Sequence, residues 1–591
     1  MSDETQQNTV PEPDNAQAPA AAPAAPSEQP GGSGQAQRPQ QNEQTGQTKR
    51  DKQAQQADQA GQPRQDPGPG EQFAVRAAKR ERLRSEGWEP YPVQLPITTT
   101  IAAVRERYSH LEAGQETEDI VGVAGRVVFL RNTGKLCFVT LADGAGTTLQ
   151  AMLSAKALPG SGHTSLAAFK ADVDLGDHLF VHGRVISSRR GELSVMAEPV
   201  LRECADAVEP AERGDDDVVV PAWRLASKAL RPLPKVWTNQ EGEEVSLSED
   251  NRARRRELDL LIRPAARDMV RTRAAVMRSL RDNFHRRNYL ELETPMLQTI
   301  HGGAAARPFI THINAYNQDL YLRIATELYL KRAVVGGVDK VFEINRNFRN
   351  EGADSSHSPE FTAIEAYEAY ATYDTMAELT QSLVQRACLD TLGTTMVTLS
   401  DGTEYELGGQ WARIDLYTSI SEAVGEEVTV ETPREKLEAI ADRHGISVAP
   451  YWVAGKIAEE IFEELVGSKL WEPTFVLDFP EDTSPLTRPH RSKPGLTEKW
   501  DLYVRGIELA TAYSELADPV IQRERLVAQS LEAANGDPEA MQLDEEFIEA
   551  LEQGFPPCGG MGMGVDRLLT AMTGLGIRET ITFPFVRPQG K

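Results

Sequence analysis

Thiols are scarce in this chain: four cysteines among 591 residues, Cys137, Cys204, Cys388 and Cys558, lie far apart without a CxxC pair. That spacing supports neither a disulfide framework nor a zinc site, and it points to a reducing cytosol. No apolar run approaches the roughly 18 to 20 residues that a membrane span needs. The N-terminus also lacks the basic and apolar layout of a secretory leader. Net positive charge is missing too, with 63 Lys and Arg against 89 Asp and Glu for a formal −26. Net charge sets solubility and the long-range field, whereas nucleic-acid binding depends on local basic surface, so any RNA partner demands a positive patch on an acidic protein. Residues 1–72 are rich in Ala, Pro, Gln, Glu, Gly and Ser and have next to no Phe or Tyr. They bury too little to offset chain entropy and are expected to form a disordered tail. The remaining length suffices for two or three domains with a sizeable core.

What is present is organised in blocks. The string FAVRAAKRERLRSEGWEPYP (73–92) reads as a short helix with a narrow apolar stripe of Phe73, Ala77 and Ala78. Five cations, Arg76, Lys79, Arg80, Arg82 and Arg84, occupy its remaining surface. It is either a solvated helix tacked onto the next domain or a clamp for RNA phosphates, and it opens a lead-in at 73–118. From 119 to 205, short β-rich runs alternate with glycine turns, the pattern of a small all-β barrel of five strands. The acidic segment 206–227, above all DAVEPAERGDDDVVVPAW (206–223), reads as a surface insertion and linker, and TNQEGEEVSLSED (238–250) as a second solvated loop. Residues 228–591 are expected to be α+β, an antiparallel sheet flanked by helices. Within them EKLEAIADRHG and GKIAEEIFEELVG supply structural helices in an insertion at roughly 425–475.

Chemistry concentrates in two strings. FEINRNFRNEGADSSHSPEFTAIEAYEAY (342–370) reads as a strand, a polar turn and a second strand. On such a ribbon Arg349 and Glu351, two residues apart, share one face, with His357 and Phe361 following. A guanidinium grips two phosphate oxygens and stabilises charge developing at phosphorus, while a carboxylate beside it orients an amino group. Nucleotide handling is thus laid out without a P-loop. GGMGMGVDRLLTAMTG (559–574) reads as a strand almost free of side chains, running into a helix that opens near Asp566 with Arg567 at its mouth. Its alternate glycines let a flat ligand approach the backbone.

Together these strings resemble motifs 2 and 3 of the class II aminoacyl-tRNA synthetases. The helix and strand at 266–297, ending in YLELETPML, resemble motif 1, with Pro295 where that family places its dimer-interface proline. GGAAARPF (302–309), LYLRIATELYLKR (320–332), SPLTRPHR (484–491), TEKWDLYVRGIELATAYSELADP (497–519) and IRETITFPFVRP (577–588) extend the likeness to bacterial lysyl-tRNA synthetases of the actinobacterial branch, over about residues 73–590. The resemblance implies an OB-fold anticodon domain ahead of a class II catalytic domain. It further implies activation of L-lysine with ATP, transfer of lysine to the 3′-terminal ribose of tRNA(Lys), a homodimer and a cytoplasmic location. Want of an apolar span sets aside the membrane-fused relatives that lysylate phospholipid.

Residue by residue, the likeness implies Arg349 on the α-phosphate, Glu351 on the adenine amino group and His357 toward the outer phosphates. Phe361 and Arg567 would sandwich adenine by π-stacking and a cation–π contact, and Arg349 and Arg567 would be the catalytic cations. Asp501 and Glu508 resemble the pair that holds Mg²⁺, with aspartate where glutamate is common at 501. Gly303 and Glu327 would hold the α-amino group, and Glu365, Tyr367 and Glu515 the ε-ammonium, with Tyr513 on the aliphatic stem. Three carboxylates suit a cationic side chain and oppose an aspartyl or asparaginyl substrate. Thr511 stands where the wider family has an asparagine that contacts the substrate carboxylate, and it is the only foothold for a decayed, non-catalytic paralogue. Glu257 stands where tyrosine is common. In the barrel, Phe138 would stack on the central anticodon base while Gln150 and Glu192 read its edges, with Arg126, Arg131 and Lys135 on the backbone.

Overall fold

The computed structural model describes residues 69–588, apart from 161, 202–217, 235, 236, 239–243, 246, 353–356, 400 and 535–538. The expected tail lies outside the described residues as far as 68, and its final residues belong instead to a helix, Pro69–Ser85. Cys204 and most of the acidic insertion also lie outside them.

The helix Pro69–Ser85 is fastened to the barrel by its own cations. Arg76, 8% exposed, donates from Nη1 to the carbonyls of Leu175, Ala229 and Arg231. Lys79 pairs with Asp174 at 2.8 Å, and Arg82 with Asp172. Three of the five cations therefore act as intramolecular anchors, the tacked-on arrangement.

One long strand closes the barrel. Glu116–Asn132 pairs antiparallel with Leu136–Ala142 through one end and with His178–Ser187 through the other, and a register shift between Val127 and Phe129 bends it. Thr148–Ser154 and Leu193–Ala197 complete the sheet. Alternate residues, among them Val123, Val139, Leu141, Leu149, Val181 and Val195, fill the interior. The linker expected at 206–227 differs from what is found, because Trp223–Ser227 is a further barrel strand paired with His178–Ser187. Trp223, 1% exposed, meets Phe169 edge-on at 5.2 Å and donates its Nε1–H to Thr164 O. An indole so placed belongs to the core whatever the charge of the residues before it. Within the second expected loop, Trp237–Thr238 pairs with Glu244–Val245. Glu257 is exposed and pairs with Arg255 at 2.6 Å, so the exchange of tyrosine for glutamate does not reach the core.

The catalytic sheet has eight strands in the order Leu290–Glu291, Lys340–Phe348, Glu360–Ala369, Cys558–Gly564, Ile507–Ser514, Lys499–Val504, Thr474–Leu477 and Ala412–Asp415. Its middle is antiparallel as expected, while the two edge strands pair parallel. Helix Pro264–Arg286 begins with proline at its first turn and buries Met269, Val276, Leu280 and Phe284 along one stripe. Phe284 stacks on Phe342 at 4.4 Å, and helix Tyr373–Leu392 joins the same core. Strand alternation then divides the chemistry. Ile364, Ala366, Ala510, Ala512, Met561 and Met563 pack into this core, so their strand neighbours project from the opposite face. The insertion helices Arg434–Arg443 and Ala454–Leu465 form as expected and share a separate apolar cluster.

Motif 1 is tied to the hairpin by buried charge. Arg323 Nη1 donates to Glu343 Oε1 at 2.7 Å, and Glu343 Oε2 accepts from Thr294 N and Oγ1. Pro295 next to it is exposed, as are Met296 (50%) and Leu297 (51%).

Candidate active site

The face opposite the helical core carries a cavity of about 350 Å³, lined by residues of both strings singled out above. Glycine makes the room. Gly560, Gly562 and Gly564 alternate with Met561 and Met563, so the strand is apolar below and bare above. A Cβ at Gly560 would lie 2.0 Å from Glu515 Oε1 and 2.4 Å from Tyr367 Cε1. Gly303 has φ +85°, and a Cβ there would meet those of Glu327 at 3.0 Å and Ala325 at 3.2 Å, so only glycine lets the loop close on the helix below it.

Carboxylates gather at the deep end. Glu365, 7% exposed, accepts from Thr326 N at 3.1 Å and from Asn347 Nδ2 at 3.4 Å; desolvation still pushes its carboxyl upward. Glu327 opens the helix Glu327–Val335, and Lys331 donates to its Oε1 at 2.6 Å. The same Lys331 nitrogen pairs with Glu515 Oε2 at 2.5 Å. Burial raises both carboxyls, that of Glu515 to about 8. Among the described residues Glu515 Oε1 has no hydrogen-bond partner and neither has Asn347 Oδ1. Glu515 does not itself line the cavity; it lies behind Gly560 and Tyr367. Tyr367 and Tyr513 complete this end, where burial above all, with the carboxylates adding to it, pushes both phenols up.

Cations gather at the other end. The ladder of the hairpin stops at Phe348, so Arg349 and Glu351 stand in the turn and not on one strand face. They meet at the cavity because Arg349 N donates to Pro359 O at 2.9 Å and Glu351 Oε1 accepts from Arg307 N at 3.2 Å. The Arg349 guanidinium lies 5.2 Å over the Phe361 ring, and its buried Nε has no partner among the described residues. Arg567, at the start of helix Val565–Thr573, donates to Glu508 O at 2.7 Å. His357 and Phe361 line the same space. That helix is held by Asp566, which accepts from Arg273 Nη1 at 2.5 Å and from Thr362 N at 2.8 Å, joining all three motifs.

Between the two ends sit Asp501 and Glu508, on adjacent strands either side of a register shift. Asp501 is 6% exposed; desolvation pushes its carboxyl up to about 7, and its Oδ1 is unpartnered among the described residues. Lys499 Nζ stands 3.2 Å from the other oxygen. Thr511, opposite Asp501 in the ladder, directs its hydroxyl to Trp500 O at 3.4 Å. Lys331, Lys499 and Asn347 were missed in the sequence. Only the i, i+4 spacing of Glu327 and Lys331 signalled any of them.

On the barrel, Phe138 and Gln150 stand on the outward, half-buried rows of neighbouring strands. Arg131 covers the Phe138 ring at 4.6 Å, Gln150 Nε2 donates to Ser194 Oγ at 2.8 Å, and Glu192 accepts from Arg105 Nη2 at 2.7 Å. Lys135 is exposed nearby. Arg126 Nη1 donates inward to Gly176 O at 2.8 Å, and burial lowers its pKa.

Residues 248–587 match the family model of tRNA synthetases class II (D, K and N), and residues 121–200 match that of the OB-fold nucleic acid binding domain. The chain is 57% identical over 520 residues to a lysine–tRNA ligase of Kineococcus radiotolerans, covering 88% of this chain and 97% of the relative. It is 56% identical over 519 residues to a lysine–tRNA ligase of Mycolicibacterium gilvum, with the same coverage. A lysylphosphatidylglycerol biosynthesis bifunctional protein of Gordonia bronchialis is 46% identical over 522 residues, 88% of this chain and 42% of that longer protein. Among the described residues no helix is long and apolar enough to cross a membrane. Motif geometry, barrel and sequence agree: the chain belongs to the class II tRNA synthetases of the aspartyl, lysyl and asparaginyl group.

Proposed function

We propose that this chain is a lysine–tRNA ligase, activating L-lysine with ATP to lysyl-adenylate and passing the lysyl group to the terminal ribose of tRNA(Lys). One observation carries the choice of amino acid: buried carboxylates crowd the deep end, Glu327 and Glu365 lining it and Glu515 behind Gly560 and Tyr367, and Glu515 Oε1 has no hydrogen-bond partner among the described residues. Carboxylates taken out of water cost several kcal/mol each, and a diammonium ligand supplies the missing partners. An aspartate side chain would meet like charge there, and asparagine would leave the charges uncompensated. Glu327 and the Gly303 backbone receive the α-amino group, Glu365, Tyr367 and Glu515 the ε-ammonium, and Tyr513 the aliphatic stem. Thr511 is the remaining polar side chain near the substrate carboxylate, a weaker donor than asparagine because its hydroxyl is turned to Trp500 O.

Chemistry follows from the charge at the other end. The lysine carboxylate attacks the α-phosphorus in line, pyrophosphate leaves, and a ribose hydroxyl of the tRNA then attacks the adenylate carbonyl, releasing AMP. No protein nucleophile is required. Arg349, with an unpartnered Nε, neutralises the α-phosphate. Arg567 and Phe361 bracket the adenine, Glu351 receives its amino group, and His357 faces the outer phosphates. Asp501 and Glu508 fit Mg²⁺: both are hard oxygen donors, and Asp501 Oδ1 is a buried acceptor without a partner. Bound there, the ion would offset phosphate charge.

Phe138, Gln150 and Glu192 read the anticodon, and the exposed apolar segment about Pro295 pairs two copies in a cytoplasmic homodimer. Sedimentation of P295R/L297R tests the latter, a dimer persisting at wild-type strength placing the interface elsewhere. ATP–pyrophosphate exchange with lysine, aspartate and asparagine supplied separately tests the activity. Exchange with lysine alone is expected, and exchange with none or with another amino acid would overturn the proposal.

A further inference from the structure

Lys331 has no place in the chemistry above, yet it is the most enclosed cation of the site, 0% exposed, with its nitrogen 2.6 Å from Glu327 Oε1 and 2.5 Å from Glu515 Oε2. The two carboxylates come from opposite sides. Glu327 opens the helix Glu327–Val335, while Glu515 follows the strand Ile507–Ser514. Lys331 lies one turn below Glu327, and since helical side chains lean toward the N-terminus its stem runs back under the cavity floor. An ammonium in that position does two things. It compensates charge that would otherwise favour protonated carboxyls, and it takes one oxygen of each group, leaving Glu515 Oε1 turned toward Gly560 and Tyr367.

We propose that Lys331 is a positioning residue for the substrate, a resident ammonium that offsets the charge of Glu327 and Glu515 and aims them so that one carboxylate oxygen of each is left for an incoming amino group. It rests on the reading of the cavity as a lysine site. The titratable groups facing this trio are Glu365 and Tyr367 from strand Glu360–Ala369, Tyr513 from the neighbouring strand and Cys558 from the glycine strand. These four are acids, and Lys499, the cation beside Tyr513, is paired with Asp501. Without it, burial and mutual repulsion drive Glu327 and Glu515 further toward the neutral form, which keeps a carbonyl acceptor but brings no charge to pair with a ligand ammonium.

The test is steady-state ATP–pyrophosphate exchange by the full chain with L-lysine between pH 6 and 9, comparing wild type with K331M, K331Q and K331R. In K331M and K331Q the KM for lysine is expected to rise about 100-fold or more while the KM for ATP stays put. The acid limb of kcat/KM for lysine should move to higher pH in both, and K331R, which keeps the charge, should restore it. K331Q retains hydrogen-bond donors, so it decides the matter where K331M fails to fold. Lysine KM and pH limb unchanged in either neutral variant would overturn the inference, as would equal rises in lysine and ATP KM. Wild-type exchange with lysine is measured alongside: its absence sinks the ligase assignment itself, whereas its presence with unaffected variants sinks only the role of Lys331.

Discussion

Replacing Gly560 by alanine puts the lysine end of the cavity to a purely steric test. Gly560 has no left-handed backbone to protect, so a methyl group meets no torsional objection. What it meets is Glu515 Oε1 at 2.0 Å and Tyr367 Cε1 at 2.4 Å. Comfortable contacts begin near ~3.5 Å, so the carboxylate and the ring have to retreat by about 1 Å or more. Both are enclosed, and overpacking of this kind costs about 1 to 3 kcal/mol, which leaves a large domain folded. Displacement of binding groups by ~1 Å is worth about 100-fold in rate, so kcat/KM for lysine in G560A should fall by at least that much. ATP binds elsewhere along the cavity, and its KM should not follow. The assay is ATP–pyrophosphate exchange with lysine varied at saturating ATP, beside a melting curve showing the fold intact. Unaltered kcat/KM for lysine in the folded variant would refute the claim that the Glu515 and Tyr367 positions, guarded by this glycine, set recognition.

R349A should lose adenylate formation by about 100-fold or more, since one charge-stabilising donor is commonly worth that; its circular dichroism should match wild type, and normal exchange by the folded variant would remove Arg349 from the chemistry. Glu515 supplies a pH test. Its carboxyl is pushed from about 4.5 up to about 8 by burial, so between those values the native state holds a proton that the unfolded chain releases. Stability from this group is therefore lost as pH rises from 4.5 to 8. E515Q carries no such proton, and its melting temperature relative to wild type should climb from pH 5 to 8; a constant gap would contradict the shift. F138A should leave lysine-dependent exchange untouched while raising the KM for tRNA(Lys) by about 5- to 150-fold, the equivalent of ~1 to 3 kcal/mol for a lost base stack, and unchanged tRNA charging would take Phe138 out of the anticodon contact.

How much of this could be read beforehand depended on whether a residue's role is local. The hairpin at 342–370 and the glycine strand were legible because alternation and turn residues fix them within a few positions. Arg349 and Glu351 were placed on one strand face by that rule, and the rule failed because the ladder ends at Phe348; a turn, not a pleat, brings them to the cavity. Trp223 was misread for the converse reason. Acidic neighbours gave the segment a solvated look, while its indole closes a barrel whose other strands lie far upstream. Arg76 and Arg126 counted as basic surface in the sequence, yet each guanidinium ends on backbone carbonyls brought together only by the fold.

Lys331 marks the limit more sharply, because in LYLKR it is one cation among several on a helix, and an i, i+4 partner at Glu327 usually means a surface pair of little consequence. Its second partner, Glu515, is remote in sequence and arrives through the strand order of the sheet. The same order explains how a chain of charge −26 makes a site for both a cation and a polyphosphate. Strands carrying Glu365, Thr511 and Asp501 lie side by side with the glycine strand among them, so carboxylates collect at one end of a trough whose other end is fed by the turn bearing Arg349 and the helix bearing Arg567. Unpartnered atoms mark the length of the trough, acceptors on Glu515, Asn347 and Asp501 and a donor on Arg349. Each is a group that folding alone leaves unsatisfied at a cost, and each is complementary to one part of lysine, a cation or ATP. The site is thus destabilised in proportion to what it binds, which is why substitutions there should weaken ligand affinity before they weaken the fold.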